Sequence, residues 1–196
     1  MQADAIRVVT EAMQGAIVQA LEDEGTATPV VFVGPLDDPG ASGADLVLFL
    51  HRIAVNADLR NTPHRVPSAD PASPATDFET SLPLDLHFLV TVGAHQEANE
   101  LTGLELLGIA MRALNTNPYL VGGPSGREIV RLTIESGGSD EMGRIWTLFP
   151  AANYRTSVTY LASPVWIDPK TSPPGGPPVI GETLHFQAVP PMEDDE

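Results

Sequence analysis

Five histidines, His51, His64, His87, His95 and His185, are the side chains of this sequence best suited to acid–base work or metal ligation. Their spacing supports neither. No two stand as His-x-His or His-Glu-x-x-His, so no strand or helix offers a ready pair to a metal ion. His51 and His87 each sit mid-way along an apolar run, which makes them cross-strand neighbours in a packing role. Asp37 and Asp38 fall in a turn-forming stretch, DDPGASG, and do not read as a buried carboxylate pair. The stretch VGGPSGR (121–127) lacks the lysine and the spacing of a phosphate loop. SGGSDE (136–141) places no serine between glycines in the way a nucleophile elbow requires. The chain has no cysteine, which removes thiol nucleophiles, zinc–thiolate sites and disulfides. A Ser–His–Asp triad is recognised by geometry, which spacing does not test. The residues thus nominate no catalytic group, no metal ligand and no cofactor, and enzyme activity is not expected.

The remaining candidates for chemistry are aromatic. RIWTLFPAANYRTSVTYLASPVWID (144–168) holds both tryptophans, Trp146 and Trp166, and two of the three tyrosines, Tyr154 and Tyr160. Trp146, Phe149 and Tyr160 fall at helix and strand spacing, which makes them core. Tyr154 and Arg155 fall between elements, and both residue types are enriched at binding hot spots.

The elements around these residues follow from periodicity. Residues 3–23 put Ile6, Val9, Met13, Ile17 and Leu21 on one helical face, with Gly25 available to end the helix. PVVFVGP (29–35) reads as a short strand and DLVLFLHRIAV (45–55) as a long one. Residues 61–82 turn polar and Pro-rich, an excursion from a hairpin, and 62–81 are the expected docking arm for a neighbour. LDLHFLVTVGA (84–94) alternates and is expected to pair with 45–55. Residues 96–115 form the strongest helix, with a stripe of Leu101, Leu104, Leu107, Met111 and Leu114, ended by NPYLVGGPSG. EIVRLTIES (128–136) is a strand, 139–149 a short helix, and 156–168 a strand in which Pro164 predicts an edge, a bulge or a bend. Residues 169–178 are linker-like, 179–189 are readable as a last strand, and PPMEDDE is an acidic tail expected to be disordered. The pattern is that of an α+β, or mixed α/β, domain around a single twisted sheet packed with helices.

Length and composition agree with one globular domain: 196 residues, 42% hydrophobic and 18% charged. The net charge of −16 argues against nucleic acid and anionic membranes as partners. No apolar run is long enough to span a bilayer, so direct membrane insertion is not expected.

Four stretches taken in order, DLVLFLHRIAVNADLRN (45–61), LPLDLHFLVTVGA (82–94), ELLGIAMRALNTNPYL (105–120) and WTLFPAANYRTSVTYLASPVWID (146–168), resemble the cap, or tail-tube terminator, proteins of extracellular contractile injection systems. The resemblance spans roughly residues 3–168, and longer members carry a further C-terminal domain. It implies a phage tail-terminator-like fold and a homo-hexameric ring on the last layer of the inner tube. That ring contacts the inner-tube and sheath proteins, stops polymerisation and helps fix particle length. It also implies assembly in the bacterial cytoplasm as part of a phage-tail-like particle. The expected domains are a cap domain over 1–168 and a Pro/Gly-rich segment with the acidic tail over 169–196. Another structural subunit, such as a baseplate or adaptor protein or the terminator of a true phage tail, is the alternative; a small-molecule-binding domain or enzyme stands further off. Six residues are nominated for subunit or partner contacts: Asn56, Arg60 and Asn61 in NADLRN, Arg112 on the main helix, and Tyr154 with Arg155 in NYRTS.

Overall fold

The computed structural model describes residues 4–66, 75–96, 99–122 and 128–169. The expected linker, last strand and acidic tail from 170 onward lie outside the described residues. So do the middle of the Pro-rich excursion (67–74) and the loop 123–127. Three α-helices are described: α1 (Ala5–Asp23), α2 (Glu100–Thr116) and α3 (Ser139–Thr147), with short 3-10 turns at Pro39–Gly43 and Ala94–Gln96. Eight strands are described: β1 (Val31–Val33), β2 (Leu46–Val55), β3 (His64–Val66), β4 (Thr76–Phe78), β5 (Leu82–Val92), β6 (Tyr119–Gly122), β7 (Glu128–Glu135) and β8 (Ser157–Ile167). Six strands form one mixed sheet in the order β1-β2-β5-β8-β7-β6, and β3 pairs with β4 in a separate two-stranded sheet. The fold is α+β, as the periodicity predicts.

The expected pairing of 45–55 with 84–94 is present as β2 against β5, antiparallel from Leu46↔Val92 to Val55↔Leu84. Period-2 alternation sends Leu46 and Leu48, with Leu86, Phe88 and Val90, to one face, where α1 and α2 cover them. Val47 and Leu89 point the other way and meet Ile145, Trp146 and Phe149 of α3 and the turn after it. Phe49 and Phe149 complete that second cluster edge to face, 5.3 Å between ring centres. The helix α1 buries Val9, Met13, Ile17 and Leu21, at the spacing read from the sequence. Trp146, Phe149 and Tyr160 are all buried, as their spacing predicts.

Three differences from the sequence reading have physical causes. The stripe that α2 buries is Gly103, Leu106, Leu107, Ala110 and Leu114. Leu101 is 79% exposed and Leu104 also faces outward, because a leucine-rich helix has two apolar stripes and packing against α1 selects one. The segment NPYLVGGPSG, read as a helix end, holds β6, whose Leu120 pairs with Val130 of β7. Its turn residues on both sides mask a run of only a few strand residues. The excursion 61–82 carries β3 and β4, paired from His64↔Phe78 to Val66↔Thr76.

Pro164 lies in β8, which is flanked by β5 and β7 rather than at an edge. The sheet accommodates it with a bulge: the β5 register shifts between Leu84 and Leu86, pairing with β7 stops at Ser163, and the Ser163–Pro164 bond is cis. Of the three options drawn from the sequence, the bulge is the one realised. A second bulge, between Leu50 and Arg52, leaves His51 without a paired residue on β5. Its ring lies 6.1 Å from that of His87, and His87 Nδ1 is 3.1 Å from Glu135 Oε1.

At the end of β5 the chain passes close to the start of β2. Gly93 donates its backbone N–H to the Asp45 carbonyl at 2.7 Å. A Cβ at position 93 would lie 1.9 Å from the Ala44 carbonyl oxygen, a backbone atom that cannot swing away. Gly93→Ala is therefore expected to destabilise the fold by about 1–3 kcal/mol, read as a lower urea midpoint at unchanged slope; an unchanged midpoint would show that the two segments separate freely.

The His51 imidazole is pushed below its ordinary 6.5, first by burial and then by His87, with Arg52 adding and Glu135 and Glu141 opposing. Below about pH 6.5 the unfolded chain takes up the proton that the folded chain resists, so acidification lowers stability. Between pH 7.5 and 5.5 the wild type is expected to lose more stability than His51→Gln, measured by denaturant melts at each pH; equal losses would place the acid sensitivity elsewhere.

Candidate assembly surfaces

Of the NADLRN residues, Asn56 is held inside the subunit. Its Nδ2 donates to Asp85 Oδ1 at 2.9 Å and to Ser163 Oγ at 3.3 Å. Its Oδ1 accepts the Leu59 N–H at 3.0 Å. Asp85 sits where the β5–β8 register shifts, and its Oδ1 also accepts from Ser163 Oγ at 2.5 Å. Asn56 thus closes the end of β2 onto both neighbours of the bulge while capping the turn that follows. Arg60 and Asn61, a few residues on, are exposed. Arg112 is exposed on α2 and ion-pairs through Nη2 with Glu24, just past the end of α1.

Tyr154 and Arg155 lie together at a surface groove of about 400 Å³, whose other walls include Val92, Glu100 and Leu104. Arg155 is half-buried: its Nη1 donates to the Val92 carbonyl at 3.1 Å, and its guanidinium carbon is 6.0 Å from the centre of the Trp146 ring. The Tyr154 ring is tilted against that indole, 5.3 Å between centres, and remains 67% exposed. The segment 153–156 is therefore supported from beneath by Trp146 and presents an aromatic ring to solvent. The outward-facing Leu101 and Leu104 of α2 add apolar surface near the same end.

A second exposed apolar area lies on the β6 edge. Val121 is directly opposite Ile129 of β7, and both are more than half exposed, as is Tyr119. No nominated residue falls there. The signal was present in the alternation of Tyr119 and Val121, but the strand itself was hidden by its flanking turns. The structure therefore does not gather the six nominated residues into one site. It places Tyr154 and Arg155 at a groove, Asn56 in an internal network, and Arg60, Asn61 and Arg112 on the surface.

Among the described residues, one group brings three metal-ligating side chains together: His64, Glu128 and Asp168. They come from three separate segments, so no motif spacing announces them. Burial pushes the Glu128 carboxyl above its ordinary value; His64 opposes this and Asp168 adds to it. No described helix is long and apolar enough to cross a membrane.

Comparison with known proteins follows the same lines. A search of curated sequences finds no match. Solved structures that share the fold include two described as terminators. One is the sheath/tube terminator of an extracellular contractile injection system, PVC, in the extended state, with a TM-score of 0.51 and 17% identity over 90% of this chain and 63% of that one. The other is the tube-terminating cap of the anti-feeding prophage, with a TM-score of 0.57 and 17% identity over 90% of this chain and 60% of that one. At this identity the likeness establishes the fold, and the chain spans about three fifths of the length of either structure. The family model described as the Pvc16 N-terminal domain matches residues 8–180, and the chain belongs to that family.

Proposed function

We propose that this chain is a structural cap of a contractile injection particle. It forms a homo-hexameric ring on the distal end of the inner tube and sheath, terminates their polymerisation and helps fix particle length. The observation that carries this reading is membership of the Pvc16 N-terminal domain family over residues 8–180, joined to a fold shared with two proteins described as tube terminators. The role is one of assembly rather than catalysis. The partners are further copies of the chain, the inner-tube protein and the sheath protein, met during assembly in the bacterial cytoplasm. Residues 1–168 serve as the cap domain and 169–196 as an appended Pro/Gly-rich and acidic segment.

The geometry supports a ring in two ways. Head-to-tail closure needs two different faces on each subunit, and the sheet ends in two dissimilar edges, three-residue β1 on one side and β6 on the other. Among the described residues no strand pairs beyond β6, and this edge, bearing Tyr119 and Val121, suits strand pairing or apolar contact with a neighbour. The groove beside Tyr154 and Arg155 is the second contact in this reading, with the aromatic ring already held by Trp146 and so cheap to immobilise.

Light scattering and negative-stain imaging of the purified chain test this proposal, alone and mixed with inner-tube fragments. The expected result is a closed hexameric ring, free or at tube ends. Val121→Asp should weaken association at least tenfold while changing the chain's own stability by less than about 0.5 kcal/mol, as for an exposed position. A strict monomer at every concentration that also ignores tube ends would overturn the reading.

A further inference from the structure

We propose that His64, Glu128 and Asp168 bind one divalent transition-metal cation, of the zinc or manganese type, which staples the β3–β4 hairpin to the end of the main sheet. The proposal stands apart from the capping role and does not rest on it. One donor atom from each of the three side chains lies within 4.8 Å of the other two. Donors held at about 2.1 Å in a tetrahedral shell sit about 3.4 Å apart, so a small closure brings the three around an ion.

The surroundings are those of a built site. Asp168, which directly follows β8, is 6% exposed, and its Oδ2 is buried with no hydrogen-bond partner among the described residues. Glu128, at the start of β7, has its Oε1 in the same condition. Two buried carboxylate oxygens without donors are costly, and both belong to the cluster. A cation satisfies them together. The remaining groups fix orientation. Asp168 Oδ1 accepts from Ser81 Oγ and lies 2.7 Å from His64 Nδ1. The His64 ring stacks flat on Trp166, 4.5 Å between centres and 4° between planes. Hydrogen bonds from ligating side chains to such supporting groups are the usual means of aiming them at a metal.

Charge points the same way. Two carboxylates face one imidazole, and among the described residues no arginine or lysine pairs with either acid. Arg65, next to His64, turns instead to Asp77 at the surface, 3.7 Å away. An imidazole with two carboxylates suits zinc or manganese, whereas calcium and magnesium favour all-oxygen shells. Three protein donors leave at least one position for water. The ion would join three segments: β3, through His64; the start of β7; and the end of β8.

The test uses the untagged 196-residue chain, freed of metal with chelator. Zn²⁺, Mn²⁺ and Mg²⁺ are titrated separately by calorimetry, and thermal melts are run with and without each ion. The expected result is one Zn²⁺ or Mn²⁺ per chain and a midpoint raised by roughly 5–10 °C at a hundredfold excess over Kd, with Mg²⁺ much weaker. Glu128→Gln and Asp168→Asn should each weaken binding at least tenfold and abolish the melting shift. Should Asp168→Asn fail to fold, the half-buried Glu128→Gln carries the comparison. Absence of binding to the wild type would overturn the proposal and leave a His–Asp pair beside the half-buried Glu128 carboxyl. Binding that Glu128→Gln leaves unchanged would equally overturn it.

Discussion

Everything in this fold is anchored by β5. Its eleven residues are hydrogen-bonded along one edge to β2 and along the other to β8. Leu86, Phe88 and Val90 face α1 and α2, while Leu89 faces α3. A strand enclosed on both edges and both faces admits no register slip, because a shift of one residue would exchange its two faces. The bulge between Leu84 and Leu86 is where that register is adjusted, and Asn56, Asp85 and Ser163 tie the adjustment down with hydrogen bonds. The close approach of Gly93 to Ala44 fixes the other end of the strand. With the centre of the sheet so determined, variation is left to the periphery: the β1 and β6 edges, the groove at 153–156 and the β3–β4 hairpin.

The same division explains what the sequence revealed. The periodicity of α1, of β2 and of β5 is imposed by burial, so Met13, Ile17, Leu48 and Phe88 announce their places directly. The aromatic clustering of 144–168 resolves in the same manner, with Trp146, Phe149 and Tyr160 taken into the core and Tyr154 left outside. Where burial does not decide, the letters mislead. Leucines on α2 made two stripes of similar strength, and only packing against α1 selects Leu107 and Leu114 over Leu101. β6 is an edge strand of four residues between turn formers, too short for alternation to register. Asn56 is nominated from sequence for a subunit contact at a strand end; its place in an internal network depends on Asp85 and Ser163, far away in sequence. The His64–Glu128–Asp168 cluster is the extreme case, since each member comes from a different segment and no local spacing links them.

These features suit the proposed role in assembly. A rigid centre holds peripheral surfaces in fixed relation, which a ring requires if each copy is to meet the next at the same angle. The two sheet edges differ in length and in exposed side chains, as contacts of opposite sense must. The hairpin and the groove lie at the periphery of this centre, with His64 stacked on Trp166 and Tyr154 tilted against Trp146. A metal staple at His64, Glu128 and Asp168 would extend that rigidity to the hairpin.

The proposed cap would act at one place on a particle, so location tests the central claim most directly. The decisive measurement is cryo-electron microscopy of intact particles carrying this chain with a small density label on an exposed residue such as Arg60. The account predicts labelled density as a six-fold ring at one end of the tube and sheath, opposite the baseplate. Label distributed along the sheath, gathered at the baseplate, or absent from the particles would contradict it.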